Sequence, residues 1–132
     1  MKNKKQTPAF SENISAICRM FDDAIKDYQW NDEKVAEMDR LTQDYLHKLE
    51  LDGLKYEERA KVATQLAKCR QERREHKDTV MILEPLVQYL SSDKGRQLSN
   101  LLKEVLGKTR KAEEKMENRV YYPRVLGRDE TK

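Results

Sequence analysis

Between Val62 and Leu90 the inward-type residues alternate strictly at intervals of four and three: Val62, Leu66, Cys69, Arg73, His76, Val80, Leu83, Val87 and Leu90. That period draws a line along one side of an α-helix, whereas a strand turns over every second residue and cannot present the same set to one neighbour. A rod from about Tyr56 to Leu90 is roughly 50 Å long at a rise of 1.5 Å per residue. Pro85 lies inside it, removes one backbone donor and crowds the preceding turn, which predicts a kink.

The rest of the chain reads as further helix. Ser91 to Gly95 supplies turn and cap chemistry, and a following helix over about Arg96–Arg119 carries Leu98, Leu102, Val105, Thr109, Ala112, Met116 and Arg119 at the same spacing. Leu101 and Leu106 widen its apolar face beyond a narrow seam. A short connection makes these two helices antiparallel neighbours, with Arg73 and His76 falling opposite Ala112 and Thr109. Upstream, Ser11 is a candidate N-cap for a helix bearing Ile14, Ile17, Cys18, Phe21, Ile25 and Tyr28. The stretch Tyr28–Asn31 reads as a break, with Asn31 capping a second helix that turns Val35, Met38, Leu41, Thr42, Tyr45, Leu46 and Leu49 inward and stops at Gly53. The expected fold is all-α, a helical bundle built on a long antiparallel heptad-patterned hairpin, either a compact four-helix arrangement or an oligomer built on it. Its parts are a basic disordered tail over 1–9, one helical domain over 10–120 and an extended segment over 121–132.

Composition limits the interior. Hydrophobic residues are 37% and charged residues 39% of 132, with a mean hydropathy of -1.00, against roughly 45–50% and about 25% in an ordinary globular domain. A thin helical hairpin cannot hide every apolar stripe by itself, which favours a homo-oligomer. With 4 Gly and 3 Pro the chain holds neither a many-turned β-sandwich nor a Gly-rich phosphate loop. The longest apolar run, Val80 to Leu83, spans no bilayer, and the basic start MKNKKQTPAF leads into no secretory h-region. Two cysteines without a CxxC read as packing residues of a reduced cytoplasmic protein.

Charge is divided along the chain. Residues 21–58 carry 5 basic and 12 acidic side chains, and residues 59–132 carry 18 basic and 11 acidic ones, so two complementary surfaces are expected to meet within or between chains. The break in the seam at Arg73 and His76 is the candidate ligand site. Arg70, Arg74 and Lys77 flank it, and Arg110, Lys111 and Arg119 come from the facing helix. Arg124 and the pair Tyr121–Tyr122 stand within reach. Arginine forks fit phosphate oxygens and tyrosines stack on bases, so an anionic small molecule such as a nucleotide is the expected ligand. The plainer alternative places Arg73 and His76 in salt bridges to the acidic helix.

A second surface centres on Trp30, with Glu33, Glu37 and Asp44 forming an acidic face for a protein partner. Duplex nucleic-acid binding along the basic hairpin ranks below both, because the acidic helix opposes a broad footprint. Catalysis is not expected. Glu72, Glu75 and Asp78 lack a matching acidic pair and interleave with bases, His47 and His76 have no companion ligands for zinc, and no P-loop, GxGxxG or HExxH occurs. No metal and no cofactor is therefore assigned.

The stretches YQWNDEKVAEMDRLTQDYLHKLEL, RQERREHKDTVMILEPLVQYL and RVYYPRVLG, over roughly residues 28–127, resemble a family of small helical proteins encoded by phages and prophages of Gram-positive bacteria. The resemblance implies an accessory protein in a bacterial host cytoplasm that binds rather than catalyses, either inhibiting a host protein or sequestering a nucleotide signal of host defence. It transfers no functional residue.

Overall fold

The computed structural model describes residues 9–120 together with 123 and 125. Three helices account for nearly all of them: α1 (Phe10–Leu51), α2 (Tyr56–Ser91) and α3 (Asp93–Glu117). Among the described residues the chain is all-helical and its helices form a bundle, with three helices rather than four.

The missing boundary is the expected break at Tyr28–Asn31, which the structure closes. Along α1 the buried and half-buried residues include Phe21, Ala24, Tyr28, Asn31, Val35, Met38, Thr42, Tyr45 and Leu49, and their intervals of three and four never skip. Asn31 occupies an inward position of this line instead of capping a new helix. Its side-chain amide donates to the Asp27 carbonyl one turn back at 2.7 Å, which leaves the helical ladder intact. A good capping residue caps only where the apolar period stops. Here the period continues, and α1 runs 42 residues, about 63 Å.

The contacts between α1 and α2 descend one helix as they climb the other: Asn31 with His76, Met38 and Thr42 with Cys69, Asp39 with Arg70 and Arg73. The two helices are therefore antiparallel, and this is the main packing pair. All nine inward positions expected in α2 are buried or half-buried. Gly53 joins the helices at φ 57°, the left-handed conformation that ends a helix without a Cβ clash. α2 continues through Pro85, which is exposed.

A single residue, Ser92, separates α2 from α3. Its amide bonds to the Tyr89 carbonyl at 3.0 Å and its hydroxyl accepts the Gly95 amide at 3.1 Å, so it ends one helix and caps the next. Gly95 presses against the end of α2 so closely that a Cβ there would lie 1.9 Å from the Tyr89 carbonyl oxygen and 2.6 Å from the Leu90 Cα. The half-buried line of α3 is Leu98, Leu102, Leu106, Thr109 and Glu113. Leu106 and Glu113 thus take the inward places expected for Val105 and Ala112, while Leu101, Val105 and Met116 are exposed.

α3 also reaches α1. The Glu113 carboxylate accepts the Ser11 amide at 3.0 Å. Ala9, the residue at the cap of α1, makes no side-chain cap bond, so a carboxylate from another helix meets the positive end of this one. Ser11, expected to be the cap, lies within the first turn, two residues inside the cap position held by Ala9. The hydroxyl and amide of Ser11 hold the Glu113 carboxyl below its usual 4.5, helped by the Phe10 amide and the Arg110 charge and opposed by partial desolvation.

Two outcomes test this account. Gly95→Ala must displace backbone atoms rather than a flexible side chain, and it is expected to lower stability by about 1–3 kcal/mol in urea unfolding. Because folding lowers the Glu113 pKa, its contribution is complete above 4.5 and disappears as the pH falls through the lowered value. The melting-temperature gap between wild type and Glu113→Gln should hold steady at neutral pH and close on acidification below 4.5.

Candidate functional site

The seam between α1 and α2 is interrupted in its middle by polar groups that satisfy one another. His76 Nδ1 lies 2.8 Å from Asn31 Oδ1. Since the Asn31 amide nitrogen is already committed to Asp27, its oxygen is the acceptor and His76 Nδ1 carries the proton. About two turns further along α1, Asp39 Oδ1 accepts from Arg73 Nε at 2.6 Å and from Arg70 at 3.4 Å. These are the only ion pairs between helices among the described residues. Arg73 is half-buried and its fork is turned toward a carboxylate of α1.

Arg73 and His76 therefore face Asp39 and Asn31, not Ala112 and Thr109. The second half of the expected basic furrow is elsewhere. Arg110 lines a polar cleft of about 540 Å³ with Ser11, Glu12, Ser15 and Arg19 at the start of α1. Ser11 and Asp39 are 28 residues apart on one helix, about 42 Å, so the two groups of bases do not share a pocket. The correction follows from the pairing: α2 spends its seam on α1, and α3 is left to meet the far end of α1 through Glu113. Arg74, Lys111 and Arg119 are exposed and Lys77 is half-buried, with no hydrogen bond from any of the four side chains among the described residues. Tyr121, Tyr122 and Arg124 lie outside the described residues.

Trp30 is the aromatic of the middle region, mid-helix rather than at a break. Its indole stands edge-on to His76, with ring centroids 5.4 Å apart at 77°, and the Lys34 ammonium lies 5.3 Å from its centre. Lys34 in turn bonds to Glu37 at 3.1 Å. The ring is thereby held in one orientation while 53% of the residue stays exposed. Beside it runs a groove of about 370 Å³ lined by Trp30, Glu33, Lys34, Glu37 and Arg40. Trp30, Glu37 and Asp44 are spaced by seven residues and lie along one stripe of α1, with Glu33 next to it.

Asp39, Lys34 and Glu113 were not singled out by sequence, and Asn31 only as a helix cap. For Asn31 the signal was present, in the unbroken 28–31–35 spacing. For Asp39 and Glu113 the register of one helix on another decides the role. Cys69 is a core residue, 4% exposed and packed on Met38 and Thr42. No group of three His, Cys, Asp or Glu among the described residues is placed to hold a metal ion, and no helix is long and apolar enough to cross a membrane. The polar pair predicts a non-additive pattern. Asn31→Leu strands the His76 donor in a half-buried seam and should cost about 1–3 kcal/mol. Asn31→Leu with His76→Leu replaces both partners and should recover most of it, as measured by a double-mutant cycle in urea.

Compared with known proteins, the chain matches no family model, no curated protein and no solved structure.

Proposed function

We propose that this chain is a non-enzymatic protein-interaction module that docks a partner on the Trp30 stripe of α1. The observation that carries the reading is the state of the indole: half-exposed, yet pinned between His76 and Lys34 beside a groove. An aromatic held rigid before binding loses little freedom on contact, which is how a single tryptophan comes to dominate an interface. Glu33 and Glu37 line the groove beside it and Asp44 carries the acidic stripe about 21 Å further along α1, which sets a preference for a partner with basic side chains next to an apolar anchor. The resemblance to phage-encoded accessory proteins supports a role that works by binding, inhibiting or scaffolding a protein of a bacterial host.

A phosphate-bearing ligand is the second reading, and its support has moved. Arg73 is engaged by Asp39, so the place to look is the cleft where Arg19 and Arg110 stand with the hydroxyls of Ser11 and Ser15. Glu12 and Glu113 beside those bases count against it.

Trp30 is the sole tryptophan, so its fluorescence reports directly on this face. With the immobilised protein, Trp30→Ala should reduce partner retention from bacterial lysate by about 10-fold or more while helicity by circular dichroism is unchanged. Retention equal to wild type, or a nucleotide that shifts melting through Arg19 and Arg110 alone, would transfer the function to the second reading.

A further inference from the structure

Two flanks of this molecule are left uncovered, and they match each other. On α1 the stripe Met20, Asp23, Asp27, Trp30 and Lys34, at intervals of three and four, runs along one edge of the α2 seam. It is acidic, with Met20 at 55% and Trp30 at 53% exposure. On α3 the stripe Leu101, Val105, Lys108, Ala112 and Lys115 lies beside the half-buried line, with Glu104 and Lys111 along its edge. It is basic, with Leu101 at 57% and Val105 at 46% exposure. A hollow of about 570 Å³ lined by Gln97, Asn100, Leu101 and Glu104 opens at its start. Within one chain Lys34 is paired with Glu37 on its own helix, while Asp23, Asp27, Lys108, Lys111 and Lys115 take part in none of the ion pairs among the described residues.

We infer that the Trp30 stripe of one copy receives α3 of a second copy, an assignment of the partner that rests on the docking role proposed for that stripe. Charge selects the alignment. Run antiparallel with Val105 on Trp30, the two stripes bring Lys108 to Asp27 and Ala112 to Asp23 with Lys111 one residue away, and they set Leu101 against the stem of Lys34 with no like charges opposed. Run parallel with Lys108 on Asp27, they set Glu104 against Asp23 and Lys115 against Lys34, two like-charge contacts. Because each chain owns one stripe of each kind, a two-fold dimer makes the same contact twice and closes.

The test uses full-length protein and charge reversal at exposed positions, followed by sedimentation velocity across a dilution series. Wild type is expected to dimerise, with Trp30 emission shifting to shorter wavelength as it does. Lys108→Glu with Lys111→Glu should weaken self-association by about 100-fold, and so should Asp23→Lys with Asp27→Lys. Mixing these two variants should restore the dimer, because in the mixed pair both contacts are again complementary. Circular dichroism checks that each variant keeps its helicity, and Leu101→Asp, which changes no α1 residue, provides an independent disruption. A wild type that stays monomeric throughout overturns the second-copy assignment while leaving Trp30 free to serve another protein. A dimer that survives Trp30→Ala and both reversals overturns the assignment and removes self-association as support for the Trp30 face. Loss on reversal without restoration on mixing overturns the pairing itself.

Discussion

The contact line between α1 and α2 is the constraint from which the remaining structure follows. A helix of 42 residues with this much charge has little reason to stay ordered alone, and it gains its order by laying every third or fourth residue against a neighbour running the opposite way. The line is not purely apolar. Ala24, Val35, Met38, Val62, Cys69, Val80 and Leu90 form its buried part, with Asn31–His76 and Asp39–Arg73 set into the middle. Sliding the helices by one turn would set Asn31 against Val80 and His76 against Val35 in one direction, or Asn31 against Arg73 and His76 against Tyr28 in the other, and either slip breaks the bond between them. The polar pair thus specifies alignment, as a buried polar residue does in paired helices generally.

Committing α2 to α1 has consequences at both ends. Ser92 and Gly95 turn the chain in a single residue, and the close approach of Gly95 to the Tyr89 carbonyl sets the angle at which α3 departs. α3 then meets α1 through Glu113, whose carboxylate closes the otherwise uncapped start of the first helix. No large side chain among the described residues is completely buried, so the interior is a strip one side chain thick. The apolar residues that the strip cannot accommodate, among them Met20, Trp30, Leu101 and Val105, remain outside beside opposite charges.

Much of this was legible in the residues. The nine inward positions of α2, the end of α1 at Gly53, the core placement of Cys69 and the partition of charge can all be read from spacing and composition, because each depends on neighbours close in the chain. The continuity of α1 could have been read too, had the interval from Tyr28 through Asn31 to Val35 been weighed above the capping preference of asparagine. The site was far less legible. Arg73 bonds to Asp39 rather than facing Thr109, and Arg110 lies about 42 Å along α1 from that level. Nothing local distinguishes an arginine that will meet a carboxylate from one that will stay exposed.

What the amino-acid order determined by itself is helix, its lines of burial and the opposed charge of its two halves, because helical periodicity is a property of residues within a few turns of one another. Only the tertiary structure decided which helix each line faces. Both α1 and α3 offered α2 a suitable stripe, and the choice depended on packing a long, continuous α1 along the whole of α2 and on finding partners for Asn31, His76, Asp39 and Arg73 at one register. Those are long-range terms, and they moved the candidate site from a furrow of arginines to the exposed face of a tryptophan.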